Sequence, residues 1–255
     1  ARSLIRQGDM FQCVLSQRFS AEYSGRPLDY YRNLRVTNPS NYLYFYDFGD
    51  YQIIGASPES LVSVKQGQVT TNPIAGTRPR GKDEREDKAL AEELLADEKE
   101  VAEHRMLVDL GRNDIGKISQ NNSVEVTKYM EVEYFRYVMH LTSVVRGQLL
   151  PQLTAMDALK STLPAGTVSG APKIRAMKRI YELEQEKRGV YAGAIGYLSA
   201  TGDMDVAIAI RTMILKNGRA YVQAGAGIVY DSIPANEYQE TINKAKSMTK
   251  IGEMQ

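Results

Sequence analysis

The chain has 255 residues, 43% of them apolar, and 32 Lys and Arg against 31 Asp and Glu leave a formal charge of +1. That length supports a sizeable core, while the charge balance offers no basic field for a nucleic acid backbone, so no nucleic acid partner is expected. A single cysteine, Cys13, excludes an internal disulfide and a Cys-rich zinc site; with no apolar run of membrane-spanning length and no signal-peptide pattern, a cytoplasmic protein with no membrane partner is expected.

Along the chain, Ser3 to Gln7 reads as the last turn of a helix stopped by Gly8, so residues that precede these in the native protein are expected to be missing here. Short strand signals follow at Tyr42 to Phe48, Tyr51 to Ala56, Leu61 to Val64 and Gln68 to Thr71, separated by turn residues and suited to an antiparallel sheet. The charged run Lys82 to Lys88 reads as a solvated entry into a helix bearing Leu90, Leu94 and Leu95. A second helix runs from Glu98 to Leu110 and is expected to close at Gly111. A further helix starts at Pro172 and carries Ile174, Met177, Ile180, Tyr181 and Leu183. Three long strands are predicted over Val190 to Ser199, Asp205 to Leu215 and Arg219 to Tyr230, the last two joined at the hairpin marker Asn217-Gly218. A final helix spans Ala235 to about Thr249. With no repeat or low-complexity linker, the pattern reads as one α+β domain over residues 1–255, with antiparallel sheets flanked by helices.

Two glutamate pairs share one spacing, Glu100-Val-Ala-Glu103 and Glu237-Tyr-Gln-Glu240, each within a predicted helix. Residues i and i+3 lie on nearly the same helix face, so each helix could aim two carboxylates at one point, and four such charges together would need a hard divalent cation such as magnesium. The same spacing also suits a solvated face, and Lys244 one turn beyond Glu240 is an ordinary surface partner. Three loops offer anion-binding groups. Ile74 to Gly81 brings amides, Thr77 and the arginines Arg78 and Arg80, while Ala165 to Lys173 lies at a helix start and Ala224 to Gly227 allows close backbone approach. In each, glycine could equally serve a turn or a bulge. Arg211, ending the apolar run Val206 to Ile210, would require an anion if buried. Of the two histidines, His104 reads as a surface neighbour of Glu103, and His140 sits in an apolar setting that suits a hydrogen-bonded core residue as well as a catalyst. Cys13 reads as a packed thiol.

Gly8 to Gln12, Gly55-Ala56-Ser57-Pro58-Glu59-Ser60, Pro73 to Arg78, Glu103 to Leu110 with Arg112-Asn113-Asp114, Ser169-Gly170-Ala171-Pro172-Lys173 and the last helix together span nearly the whole chain. In that order they resemble the chorismate-binding enzymes, and within them the anthranilate-forming branch. The resemblance implies a sandwich of two large antiparallel sheets with flanking helices. It also implies magnesium held by Glu103 and Glu240, assisted by Glu100 and Glu237, and clamping the ring carboxylate of chorismate. Gly76, Thr77, Thr167 and Lys173 match positions around the ring. Tyr191, Arg211, Gly225 and Gly227 match those that grip the enolpyruvyl carboxylate, and His140 matches the catalytic histidine, with Thr77 and Thr167 beside it in the reaction.

Two positions select among the family's reactions. Ala75 stands where aminodeoxychorismate-forming members resemble one another in a lysine nucleophile, and Gln12 where water-using members carry a lysine base. The resemblance therefore implies ammonia as nucleophile, delivered by a glutamine amidotransferase subunit, and conversion of chorismate to anthranilate and pyruvate. The alternatives are an aminodeoxyisochorismate or aminodeoxychorismate synthase, or a non-catalytic chorismate- or tryptophan-binding domain. The family's Asn-Pro-Ser-Pro-Tyr-Met feedback motif reads Asn38-Pro39-Ser40-Asn41-Tyr42-Leu43 here, and its N-terminal Leu-Leu-Glu-Ser segment lies outside this chain.

Overall fold

The computed structural model describes residues 1–249. In chain order the elements are α1 (Arg2–Arg6), β1 (Gln12–Glu22), α2 (Pro27–Thr37), β2 (Tyr42–Asp47), β3 (Tyr51–Ser57), β4 (Ser60–Lys65), β5 (Gln68–Thr71) and β6 (Ile74–Pro79). Then come α3 (Glu84–Ala96), α4 (Glu98–Gly116), β7 (Glu125–Tyr134), β8 (Val138–Gln148), α5 (Ala155–Thr162), a 3-10 turn (Gly166–Val168), β9 (Gly170–Ala171) and α6 (Lys173–Leu183). The chain closes with β10 (Ala194–Leu198), β11 (Met204–Ile208), β12 (Thr212–Lys216), β13 (Arg219–Ile228) and α7 (Pro234–Thr249). One sheet has six strands in the order β2-β3-β12-β13-β1-β9; the other has seven, in the order β10-β11-β4-β5-β8-β6 with β7 on β8. The expected α+β class with two antiparallel sheets is borne out.

Two compact units divide these elements, residues 1–59, 164–196 and 207–255 in the first and 60–163 with 197–206 in the second. In the first, α2 and α7 cover one face of the six-stranded sheet. Tyr30 and Leu34 of α2, Ile54 and Ala56 of β3, Met213 and Leu215 of β12, Val222 and Ala224 of β13, and Ala245 and Met248 of α7 form its core. The alternation of these strand residues is what a sheet with one covered face demands. Tyr30 donates its hydroxyl to the Met248 carbonyl at 2.8 Å, so burial of its ring costs no polar partner. In the second unit, Ala91 and Leu94 of α3 pack with Met139 and Leu141 of β8. Cys13 is buried among Ile5, Met10 and Ile180, and burial pushes its thiol up to about 11, so it is a packed thiol as expected.

Two elements depart from the sequence reading, and a third is shortened: β10 starts at Ala194, where a strand from Val190 was expected. The strand predicted over Asp205 to Leu215 is two strands in two sheets, β11 and β12, because the chain breaks at Ala209 to Arg211, where Arg211 adopts φ +49°. An unbroken apolar run conceals such a break, since both strands on either side of it are buried. The helix expected to stop at Gly111 continues to Gly116. Gly111 serves close packing instead, for a Cβ there would meet Thr71 Cγ2 at 3.2 Å. The charged run from Lys82 leads into α3 as expected, with a cap: Asp83 accepts from the Glu86 amide at 2.8 Å.

Candidate active site

Within the second unit, β6 pairs with β8 through a bulge. Ala75 opposes Leu141 and Arg78 opposes Met139, so Gly76 and Thr77 together face the single residue His140. Gly76 takes φ +67°, a conformation that admits few residues but glycine, and a Cβ there would meet Leu94 Cδ1 at 2.9 Å. The bulge turns the Gly76 carbonyl onto His140 Nδ1 at 2.7 Å, and Thr77 Oγ1 lies 3.2 Å from the same nitrogen. A carbonyl only accepts, so Nδ1 carries the proton, and Nε2 takes no part in this contact. Phe135 sets the ring by an edge contact at 5.4 Å. The segment read as a loop rich in free donors is thus a bulged strand, and its arginines are already engaged. Arg78 binds Glu93 and Asp97, each at 2.9 Å, and Arg80 binds Asp87 and the Phe135 carbonyl. Neither is a free anion site.

Glu100 and Glu103 lie on α4, both half-buried. Asp97 caps that helix by accepting from the Lys99 and Glu100 amides at 3.1 Å, while Arg78 Nη1 stands 3.7 Å from Glu100. Burial first, and then the charge of Glu103, raises the Glu100 carboxyl above its ordinary value. A cation would relieve both effects, so this pair fits a metal. Among the described residues, no group of three or more His, Cys, Asp or Glu is gathered as metal ligands would be. His104, expected at the surface, is instead fully buried, with Nε2 2.6 Å from Ser143 Oγ on β8 and its pKa lowered to about 4 by burial.

The first unit holds the remaining matched residues. The register of β13 on β1 runs without a shift from Arg219 to Ile228, so Gly225 and Gly227 mark no bulge. They make room: a Cβ at Gly225 would meet the Tyr191 hydroxyl at 2.7 Å, and one at Gly227 the Gln12 amide nitrogen at 2.8 Å. Tyr191 is buried, with Arg188 over its ring at 5.5 Å, and burial pushes its phenol up to about 12. Arg211, partly buried, keeps its charge against a desolvation that lowers its pKa, with Tyr191 and Glu240 as the nearby electrostatic support. On α7, Glu240 is exposed and paired with Lys244 at 2.6 Å, the surface partner anticipated from the spacing; Glu237 is half-buried. Lys244 also donates to the Gly225 carbonyl at 3.0 Å. Lys173 is buried in the first turn of α6.

One residue missed by the sequence reading is Glu59. It accepts the Thr167 hydroxyl at 2.8 Å, and burial raises its carboxyl to about 7, where it can give or take a proton near neutrality. The motif Ser57-Pro58-Glu59 signalled only a turn, because the partner Thr167 lies 108 residues away.

The protein-family comparison matches the model described as chorismate binding enzyme over residues 1–250. The chain is 64% identical to anthranilate synthase component 1 of Lactococcus lactis, covering 99% of this chain and 56% of that protein. A crystal structure of anthranilate synthase component I from Streptococcus pneumoniae is 84% identical with a TM-score of 0.91, covering 97% of this chain and 55% of that one. The menaquinone-specific isochorismate synthase of Escherichia coli is 26% identical with a TM-score of 0.88, covering 98% of this chain and 58% of that one. The chain thus spans about half the length of the curated relatives it matches. A match that runs through both sheets and every segment described above leaves one reading of its ancestry: the chain belongs to the chorismate-binding enzyme family.

Proposed function

We propose that this chain is the catalytic part of an anthranilate synthase large subunit, a lyase that converts chorismate and ammonia to anthranilate and pyruvate. The observation that carries the reading is Gln12. Its side chain is buried against Gly227, one of the glycines proposed to grip the enolpyruvyl carboxylate, and an amide cannot deprotonate water. Ammonia needs no such base. Ala75, beside the bulge, supplies no amine of its own. The 84% identity to an anthranilate synthase component I, against 26% to an isochorismate synthase, supports the same choice.

In this reading Arg211 and Tyr191 hold the enolpyruvyl carboxylate, and Gly76, Thr77, Thr167 and Lys173 surround the ring. His140 moves a proton through Nε2, since Nδ1 is committed to Gly76. Glu59, near neutrality, is the group suited to protonate the departing C4 hydroxyl. Magnesium is the proposed cofactor, with Glu103 and Glu240 as its main ligands and Glu100 and Glu237 assisting; when bound it would neutralise the ring carboxylate. Ammonia is proposed to come from a glutamine amidotransferase partner, and the location proposed is the cytoplasm, where the lone thiol of Cys13 stays reduced. One domain over residues 1–255 is proposed as the chorismate-binding unit.

The test is incubation of the intact protein with chorismate, magnesium and ammonium. Blue anthranilate fluorescence is expected, and its absence from a folded protein rejects the proposal. Glu103→Gln and Glu240→Gln, assayed separately, should each raise the magnesium concentration needed for half-maximal rate by tenfold or more, a loss on the scale of one ligand. An unchanged magnesium dependence removes that residue from the ligand set.

A further inference from the structure

Arg211 stands in a conformation it would not choose. Its φ of +49° lies in the left-handed region, unusual for a side chain other than Gly, Asn or Asp. The turn is fastened on the backbone side: the Arg211 carbonyl accepts from the Ala56 amide at 3.1 Å, and Thr212 Oγ1 donates to the Ile210 carbonyl at 2.9 Å. Thr212 Oγ1 also lies 2.6 Å from the Tyr44 hydroxyl. Strain of this kind persists only where the surroundings impose it, and it points to a side chain that must be aimed.

The aiming comes from the last turns of α7. Arg211 Nη1 donates to Ser247 Oγ at 3.0 Å and to the Lys244 carbonyl at 3.2 Å. Ser247 Oγ donates in turn to that same carbonyl at 2.7 Å, which fixes the hydroxyl lone pair toward the guanidinium. Asn38 then clamps Ser247 by donating Nδ2 to its carbonyl at 2.6 Å. Among the described residues only Nη1 of the guanidinium is hydrogen-bonded. Two acceptors on Nη1 restrain the guanidinium, and its remaining edge keeps the paired donors that match a carboxylate.

We propose that Ser247, held by Asn38, is the positioning residue that orients Arg211 for a substrate carboxylate. The substrate side of this claim rests on the chorismate reading above; the orientation of Arg211 does not. Ser247 and Asn38 touch no substrate in this scheme. They act through preorganisation, which lowers KM without changing the chemical step.

The experiment uses the intact protein with Ser247→Ala, Ser247→Thr and Asn38→Ala. KM for chorismate and kcat are measured together with the nitrogen-15 signals of the Arg211 guanidinium, assigned by their loss in Arg211→Lys. For Ser247→Ala, KM is expected to rise about tenfold with kcat within about twofold, the scale of one preorganising hydrogen bond. The two Nη signals, distinct in the native protein, should merge as the guanidinium rotates freely. Ser247→Thr, which keeps the hydroxyl, should restore both, and Asn38→Ala should give a smaller shift in the same direction. Unchanged Nη signals in Ser247→Ala overturn the proposal, as does a fall in kcat that tracks a lowered melting temperature. If the native protein fails to consume chorismate, the functional reading fails, while the guanidinium signals still decide the positioning.

Discussion

The two histidines of the second unit show how the same side chain is put to opposite ends. His104, on α4, is fully buried against Ser143 of β8, and burial lowers its pKa to about 4. His140, three residues before Ser143 on β8, therefore points to the other face of the strand, where the bulge at Gly76 and Thr77 meets it. His104 has no way to change its charge without breaking the packing around it. His140 has one nitrogen fixed by a carbonyl and the other left for protons. Burial packs the first away from solvent, while a bulged partner strand fixes one nitrogen of the second and suits it to the proton transfer proposed for it. The difference lies in the neighbouring elements: His104 packs against β8, while His140 meets a bulged strand.

The largest expected effect that breaks this contrast is on turnover. His140→Ala should cost between about a hundred and ten thousand fold in kcat, the range for a general acid or base, with the melting temperature little changed. A loss below tenfold would return His140 to a structural role. His104→Ala should do the reverse, costing about 2 to 4 kcal/mol of stability in denaturant while the folded fraction keeps its kcat. Equal damage to kcat and stability in both variants would erase the distinction.

Titration sharpens it further, because burial moves an imidazole and a carboxyl in opposite directions. The His104 pKa is depressed from 6.5 to about 4, so the folded state binds fewer protons than the unfolded one between those values. Stability is therefore expected to fall as pH drops from about 6.5 toward 4, and His104→Gln should flatten that slope in urea titrations. Glu59, raised from 4.5 to about 7, contributes with the opposite sign: its share is present below 4.5 and is lost as pH rises through about 7. Glu59→Gln should remove that loss and also the alkaline limb near pH 7 from the kcat profile; a native limb that survives in the variant assigns it elsewhere. The smallest effect is expected for Ser143→Ala, about 1 to 2 kcal/mol, since it strips one partner each from His104 and from the Met130 amide, whose bond is 2.9 Å. A cost as large as that of His104→Ala would mean that the hydrogen bond, and not the packing of the ring, holds His104 in place.

Much of the fold was legible in local pattern. Tyr42 to Thr71 alternates in short runs divided by turn residues, and β2 to β5 follow that reading; Asn217-Gly218 marks the β12–β13 hairpin because both residues take positive φ there. The last helix was visible from Ala235, one residue after its start. What escaped was decided at long range. Strands β1, β7 and β8 carry weak alternation and are fixed by partners far along the chain, Cys13 with Ile228 for instance. His104 could be recognised as buried only through Ser143, 39 residues on, and Glu59 as a titrating group only through its burial beside Thr167. The bulge that distinguishes His140 follows from a register shift, which no local pattern encodes. Of the candidate site, the glutamate spacing and the glycines were readable as residue types. Their roles came from resemblance, and the geometry added the partners: Gly76 for His140, Tyr191 for Gly225, and α7 for Arg211.

The proposed reaction adds ammonia to chorismate, releases the C4 hydroxyl as water and then loses pyruvate. Mass analysis of the products formed by the intact protein from chorismate and nitrogen-15 ammonium in magnesium buffer tests it most directly. Anthranilate carrying one nitrogen-15, together with an equal amount of pyruvate, is expected. Unlabelled isochorismate, or an amino adduct that keeps its enolpyruvyl group, would contradict it.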